Sequence, residues 1–139
     1  MSNSPVVEEV WRVMASLVLD NRDGWRRAVI EQTGLPFSRI RILKRLSRRP
    51  MTVKEVGHAT AMDAPATTVA INDLEDRGLV VRATDPANRR CKLVSLTEAG
   101  REAVRRINAI DDPPPSTLSA LDAGDLAALR AILEKVATA

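Results

Sequence analysis

A mainly α-helical fold with one small β-ribbon is predicted for this chain of 139 residues by three observations. Apolar residues recur at helical spacing near the start, as Val7, Val10, Trp11, Met14, Leu17 and Val18, and again near the end. Between Leu79 and Leu96 the spacing changes to two extended runs separated by Thr84-Asp85-Pro86-Ala87-Asn88, whose Asp, Pro and Asn favour chain reversal. A helix start follows at once, with Thr97 as N-cap and Glu98 in the first turn, where a carboxylate suits the helix dipole.

Taken in order, the first helix is expected over about 6–32, stopped by Gly34-Leu35-Pro36. Ser38 is the expected cap of the next helix, in which Ile40, Leu43 and Leu46 form a buried stripe before Pro50 bounds it. A short third helix fits 52–60, with Thr52 as cap, Glu55 three residues on, and Val53 and Val56 inward. After a break at Met62-Asp63-Ala64-Pro65, a helix over about 65–77 is expected to bury Val69, Ile71 and Leu74 and to close on Gly78, a residue free to take φ > 0. Leu79-Val80-Val81 opens the ribbon, Lys92-Leu93-Val94-Ser95-Leu96 returns, and Arg89 and Arg90 lie at its exposed end. The helix after Thr97 carries Ala103, Val104 and Ile107 and must end by Pro113-Pro114-Pro115, since three prolines cannot continue a donor ladder. A last helix over about 116–137 has an apolar face that includes Leu118, Leu126, Leu129 and Leu133.

Composition sets bounds on function. A 45% hydrophobic content in 139 residues suits one domain with an ordinary core. The excess of 21 basic over 18 acidic residues is small, but Arg39, Arg41, Lys44, Arg45, Arg48 and Arg49 crowd one segment and more cations lie between Arg77 and Lys92. Such clusters suit a polyanion or are solvated helix faces. Cys91 is the single cysteine and His58 the single histidine, so neither an internal disulfide nor a zinc site of His and Cys ligands is expected. There is no tyrosine, no Gly-rich phosphate loop and no Ser/His/Asp set in a recognisable context, so neither an enzyme nor a cofactor is indicated. With no long apolar run, the chain is expected to be soluble and cytoplasmic, without membrane association.

Two helices joined by a tight turn, the second leading into a ribbon, form the geometry that places one helix in the major groove of double-stranded DNA. Pro65-Ala66-Thr67-Thr68 begins that helix, and Thr67 or Thr68 there is either a base or phosphate contact or a local cap. The N- and C-terminal amphipathic helices exceed what a small core can cover, so they pair with a second copy in an isologous dimer or fold back on their own core.

A helix, a β-ribbon with a basic tip and a further helix resemble the winged helix-turn-helix of bacterial regulators. Gly78-Leu79-Val80, Asp85-Pro86, Asn88-Arg89-Arg90 and Leu96-Thr97-Glu98-Ala99-Gly100, in this order and spacing, resemble the multiple antibiotic resistance regulator (MarR) family. The likeness covers roughly Leu35 to Gly100 and implies a lobe over 35–100, an N-terminal dimerisation helix over 1–34 and C-terminal dimerisation helices over 101–139. It implies a homodimeric transcription regulator, a ligand-responsive repressor, on a pseudo-palindromic operator; the alternative is a winged-helix protein-interaction module without specific DNA binding.

By the same resemblance, Arg90 is the wing arginine that enters the minor groove and Arg89 a phosphate ligand, with Lys92 beside them. Asn88 stands where relatives often carry Asp, so either Asp85 orients Arg90 or Arg90 is held more loosely. Val69 stands where Arg or another polar residue is frequent, and Asn72 where Asp is frequent. Lys54, Arg39, Arg48 and Arg49 are weaker phosphate candidates. The family binds small aromatic or phenolic effectors, for which Trp11, Met14, Trp25, Phe37 and Ile40 are the large apolar groups and Arg41 a partner for a carboxylate; the same residues also read as core. Cys91 lies in the wing strand, either a small strand residue or a redox-sensitive thiol beside Arg90 and Lys92. The triple proline departs from the long helix usual after the wing.

Overall fold

The structure, a computed structural model, describes residues 4–137. Eight helices and one two-stranded sheet follow along those residues as α1 (Ser4–Asn21), α2 (Asp23–Thr33), α3 (Phe37–Leu46), α4 (Val53–Thr60), α5 (Ala64–Asp76), β1 (Val80–Asp85), β2 (Asn88–Leu96), α6 (Glu98–Ala109), α7 (Ser116–Ser119) and α8 (Ala123–Ala137). The chain divides into two compact units. One comprises Asp23–Asp111, and the other the segments through Arg22 and from Asp112 onward.

The unit of Asp23–Asp111 holds the core. Ile40, Ile42 and Leu43 of α3, Val56 of α4, and Ile71 and Leu74 of α5 are fully buried, and Val94 of β2 and Ile107 of α6 close the same cluster. α4 starts on a complete capping box: the Thr52 hydroxyl accepts from Glu55 N at 3.1 Å, and the Glu55 carboxylate accepts from Thr52 N at 3.0 Å. It ends on Ala61, whose φ of 55° turns the chain sharply enough for Asp63 to cap α5, accepting from Ala66 N at 2.8 Å.

The ribbon is antiparallel, pairing Val80 with Leu96 and Thr84 with Lys92, and its register shifts at Thr84/Asp85 before Asp85 meets Asn88. Strand β2 therefore begins at Asn88, four residues earlier than the alternation at Lys92 suggests. Met51 adds a short third rung through a pair of backbone hydrogen bonds to Val94 at 2.7 and 3.1 Å. Two of the runs that carry the resemblance, Gly78-Leu79 and Thr97 to Gly100, meet at one point. Thr97 Oγ1 donates to the Gly78 carbonyl at 2.6 Å and accepts from Gly100 N at 3.1 Å, and Gly100 lies so close to Leu79 that a Cβ there would sit 2.1 Å from its carbonyl oxygen.

Several boundaries differ from expectation. The single helix over 6–32 is broken at Arg22: Asn21 turns its amide back on the Leu17 carbonyl at 2.8 Å, and Asp23-Gly24 suits a new start rather than a helix interior. Pro36, not Ser38, precedes α3, and no side chain caps it; Ser38 is inside the helix. The last helix is two, because Asp122 caps the Asp125 backbone N–H at 2.8 Å and starts α8 afresh.

The other unit has no fully buried residue among those described. Val6, Val7, Val10, Trp11 and Val13 of α1 are 52–66% exposed, and Ile132 and Val136 of α8 are 56% and 63% exposed. Arg22 and Asp112 form an ion pair at 3.4 Å within it. No helix among the described residues is long and apolar enough to cross a membrane.

Candidate nucleic-acid interface

Helix α5 is held from two sides. Arg39 of α3 donates to Asp73 at 3.0 Å, and Arg77 donates to the other oxygen of the same carboxylate at 3.1 Å. Hydrogen bonds from Arg39 first, then Arg77, hold the Asp73 carboxyl below the usual carboxylate range. From the wing, the Arg82 guanidinium donates to Asn72 Oδ1 and stands 3.6 Å from the Glu75 carboxylate. Thr67, Ala70, Ile71 and Leu74 face inward, which leaves Pro65, Ala66, Thr68, Val69 and Asn72 exposed.

Two expectations for α5 are corrected. Thr67 is 1% exposed, and its hydroxyl donates to the Asp63 carbonyl at 2.7 Å; it closes the first turn against Gly57 of α4, where a Cβ would come 2.9 Å from Thr67 Oγ1. It is a core residue and offers nothing to a base. Val69, expected inside, is 60% exposed. The inward stripe is 67, 70, 71 and 74, which has the i, i+3, i+4, i+7 spacing of one helix face. Counting Thr67 as polar hid that stripe, and counting it as core would have put Val69 outside.

Lys54 is exposed on the first turn of α4 and has no ion-pair partner among the described residues, whereas Arg39 is engaged by Asp73 and Arg49 by Glu55 at 3.1 Å. Arg82, the guanidinium that ties wing to helix, was not singled out by sequence reasoning, because its partners Asn72 and Glu75 become its neighbours only once β1 folds back along α5.

At the wing tip Asp85 Oδ1 accepts from Ala87 N at 2.9 Å, and Asn88 Oδ1 accepts from Arg90 N at 3.2 Å while its amide reaches Cys91 Sγ at 3.4 Å. Both side chains shape the turn. Of the two alternatives for Arg90 the looser one fits this geometry, since the Asp85 carboxylate serves the backbone and makes no pair with the Arg90 guanidinium among the described residues. Arg89, Arg90 and Lys92 are exposed, and their side chains have no ion pair or hydrogen bond among the described residues. Cys91 is half-buried.

The residues expected around an effector are divided between the two units. Trp25 and Phe37 pack edge to face at 5.9 Å between centroids, with Arg26 over the Phe37 ring at 4.6 Å and Lys44 over Trp25 at 5.2 Å. Arg41 is exposed, whereas Ile40 is fully buried and is corrected from pocket to core. Trp11 and Met14 belong to the other unit, where they border an open apolar hollow of about 530 Å³ with Val6, Val7, Val10 and Val136. Among the described residues no group of His, Cys, Asp and Glu is placed to hold a metal.

Residues 33–90 match the family model of the MarR family. No curated protein matches the chain in sequence. Among solved structures, wild-type MarR from E. coli in its apo form superposes with a TM-score of 0.71 at 21% identity, covering 88% of this chain and 93% of that one. CouR from Rhodococcus jostii RHA1, bound to p-coumaroyl-CoA, gives 0.66 at 24% identity over 95% and 91% of the two chains. A point mutant of MepR from S. aureus, bound to an oligodeoxyribonucleotide, gives 0.59 at 21% identity over 95% and 96%. At this identity the structures show a shared fold, and the match to the MarR family model, over residues 33–90, falls on α3, α4, α5 and the ribbon as far as its tip.

Proposed function

We propose that the protein is a homodimeric transcription regulator that binds double-stranded DNA sequence-specifically, α5 lying in the major groove and the wing against the neighbouring minor groove. The observation that carries this reading is the cluster of exposed cations at the wing tip, Arg89, Arg90 and Lys92, which like Lys54 on α4 make no ion pair among the described residues, whereas Arg39, Arg49, Arg77 and Arg82 of the same lobe are engaged. Exposed cations without carboxylate partners suit a phosphate backbone, whose counterions they displace. Arg90 is assigned to the minor groove and Arg89 and Lys54 to phosphates; Pro65, Ala66 and Thr68 approach base edges.

Dimerisation through α1 and α8 is supported by the apolar side chains these helices leave exposed. A small-molecule effector, and repression that it relieves, belong to the same reading: CouR holds a coenzyme A thioester, and here the Trp25 and Phe37 pair offers aromatic surface beside Arg26 and Lys44. Selection of random duplexes by the purified chain tests the function. Enrichment of a pseudo-palindrome with half-sites about one helical turn apart is expected. Sequence-indifferent capture would overturn it in favour of a protein partner.

A further inference from the structure

We infer that Val69 is a specificity-determining residue that reads the 5-methyl group of thymine in the major groove. The inference rests on the DNA-binding reading and deepens it. Val69 is 60% exposed in a helix whose other large aliphatic side chains, Ile71 and Leu74, are fully buried. Positions 65, 68, 69 and 72 share one helix face, so Val69 stands among Pro65, Thr68 and Asn72.

Asn72 would be the natural reader on that face, because an amide recognises adenine by accepting from N6 and donating to N7 together. Its Oδ1 already accepts from Arg82 of β1, which ties the amide to the wing and leaves it a single lone pair to offer a base. What remains at the centre of the face is methyl groups, two from Val69 and one from Thr68, with a single hydroxyl. The feature of a major-groove edge that an aliphatic methyl recognises is the C5-methyl of thymine. The surroundings favour a nucleic acid over an apolar protein surface as the occupant. Lys54, Arg89, Arg90 and Lys92 are exposed without ion-pair partners among the described residues, which complements phosphate strands.

The test uses the tightest duplex from the selection, with each thymine replaced singly by deoxyuridine so that only the methyl is lost. At one thymine per half-site, the wild-type protein should lose about fourfold in affinity, the worth of one buried methyl. Val69→Ala should bind the thymine and deoxyuridine duplexes equally at that position, while Val69→Ile keeps the preference. Alanine at an exposed helix position does not threaten the fold, and an unchanged Tm verifies this. Selective, salt-dependent binding in which the methyl effect is absent, or is the same in Val69→Ala, overturns the role of Val69 and leaves the function standing. Absence of selective binding to any duplex overturns both.

Discussion

Thr67 and Val69 are two residues apart and exchange the roles their chemistry suggests. The threonine is buried because its hydroxyl finds the Asp63 carbonyl 2.7 Å away, which offsets the cost of removing it from water, and the valine is left outside because the helix turns about 100° per residue. Thr67→Val keeps the branched shape and removes the hydrogen bond, so it should cost about 1 kcal/mol of stability by denaturant titration. The folded variant should bind DNA as the wild type does. An affinity loss without a stability loss would return Thr67 to the DNA surface. Arg90 stands in the opposite situation, exposed at the wing tip with its backbone N–H fixed by Asn88 and its guanidinium unengaged among the described residues. Arg90→Ala is expected to weaken operator binding by about 1 to 3 kcal/mol in a salt-matched titration, with Tm unchanged.

At the scale of elements, α5 is positioned by long-range contacts of charged side chains as well as by its buried stripe. Asp73 joins it to α3 through Arg39, and because the folded carboxyl titrates below its unfolded value, the stability this contact supplies is present at neutral pH and is lost as pH falls through the folded pKa. Glu55, lowered chiefly by the Thr52 backbone N–H and then Arg49, and Glu98, lowered by Arg101 and Arg105, act in the same direction. Asp73→Asn should therefore lower Tm at pH 7, with the difference from wild type shrinking below about pH 4. A difference that persists undiminished in acid would show that the carboxylate charge is not what holds α5. Which elements were legible follows from the range of their signals. The Thr52/Glu55 capping box, the Thr97 cap and the turn at Asp85-Pro86 are local and could be read directly. The break at Arg22, the second start at Asp122 and the link from Arg82 to Asn72 could not. The first two depend on Asn21 and Asp122 choosing backbone partners, and the third on a pairing of α5 with β1 that no spacing in the sequence encodes.

For the whole molecule, one unit holds a cluster of fully buried apolar residues and the other has none among those described. Val10 and Trp11 on α1 and Ile132 on α8 are more than half exposed, and a single copy gives them no cover within their unit. Sedimentation equilibrium should find twice the chain mass of 15.2 kDa, and Val10→Glu with Ile132→Glu should yield a folded monomer with weakened operator binding. A wild-type monomer would contradict the dimer. The central claim, that the lobe binds DNA through the cations at its wing, is tested most directly by the slope of log affinity against log salt on the selected duplex. Arg89→Ala with Arg90→Ala removes four charges from a dimer, so the slope should become shallower by about three to four, each displaced counterion contributing about 0.9. An unchanged slope and affinity would contradict the account.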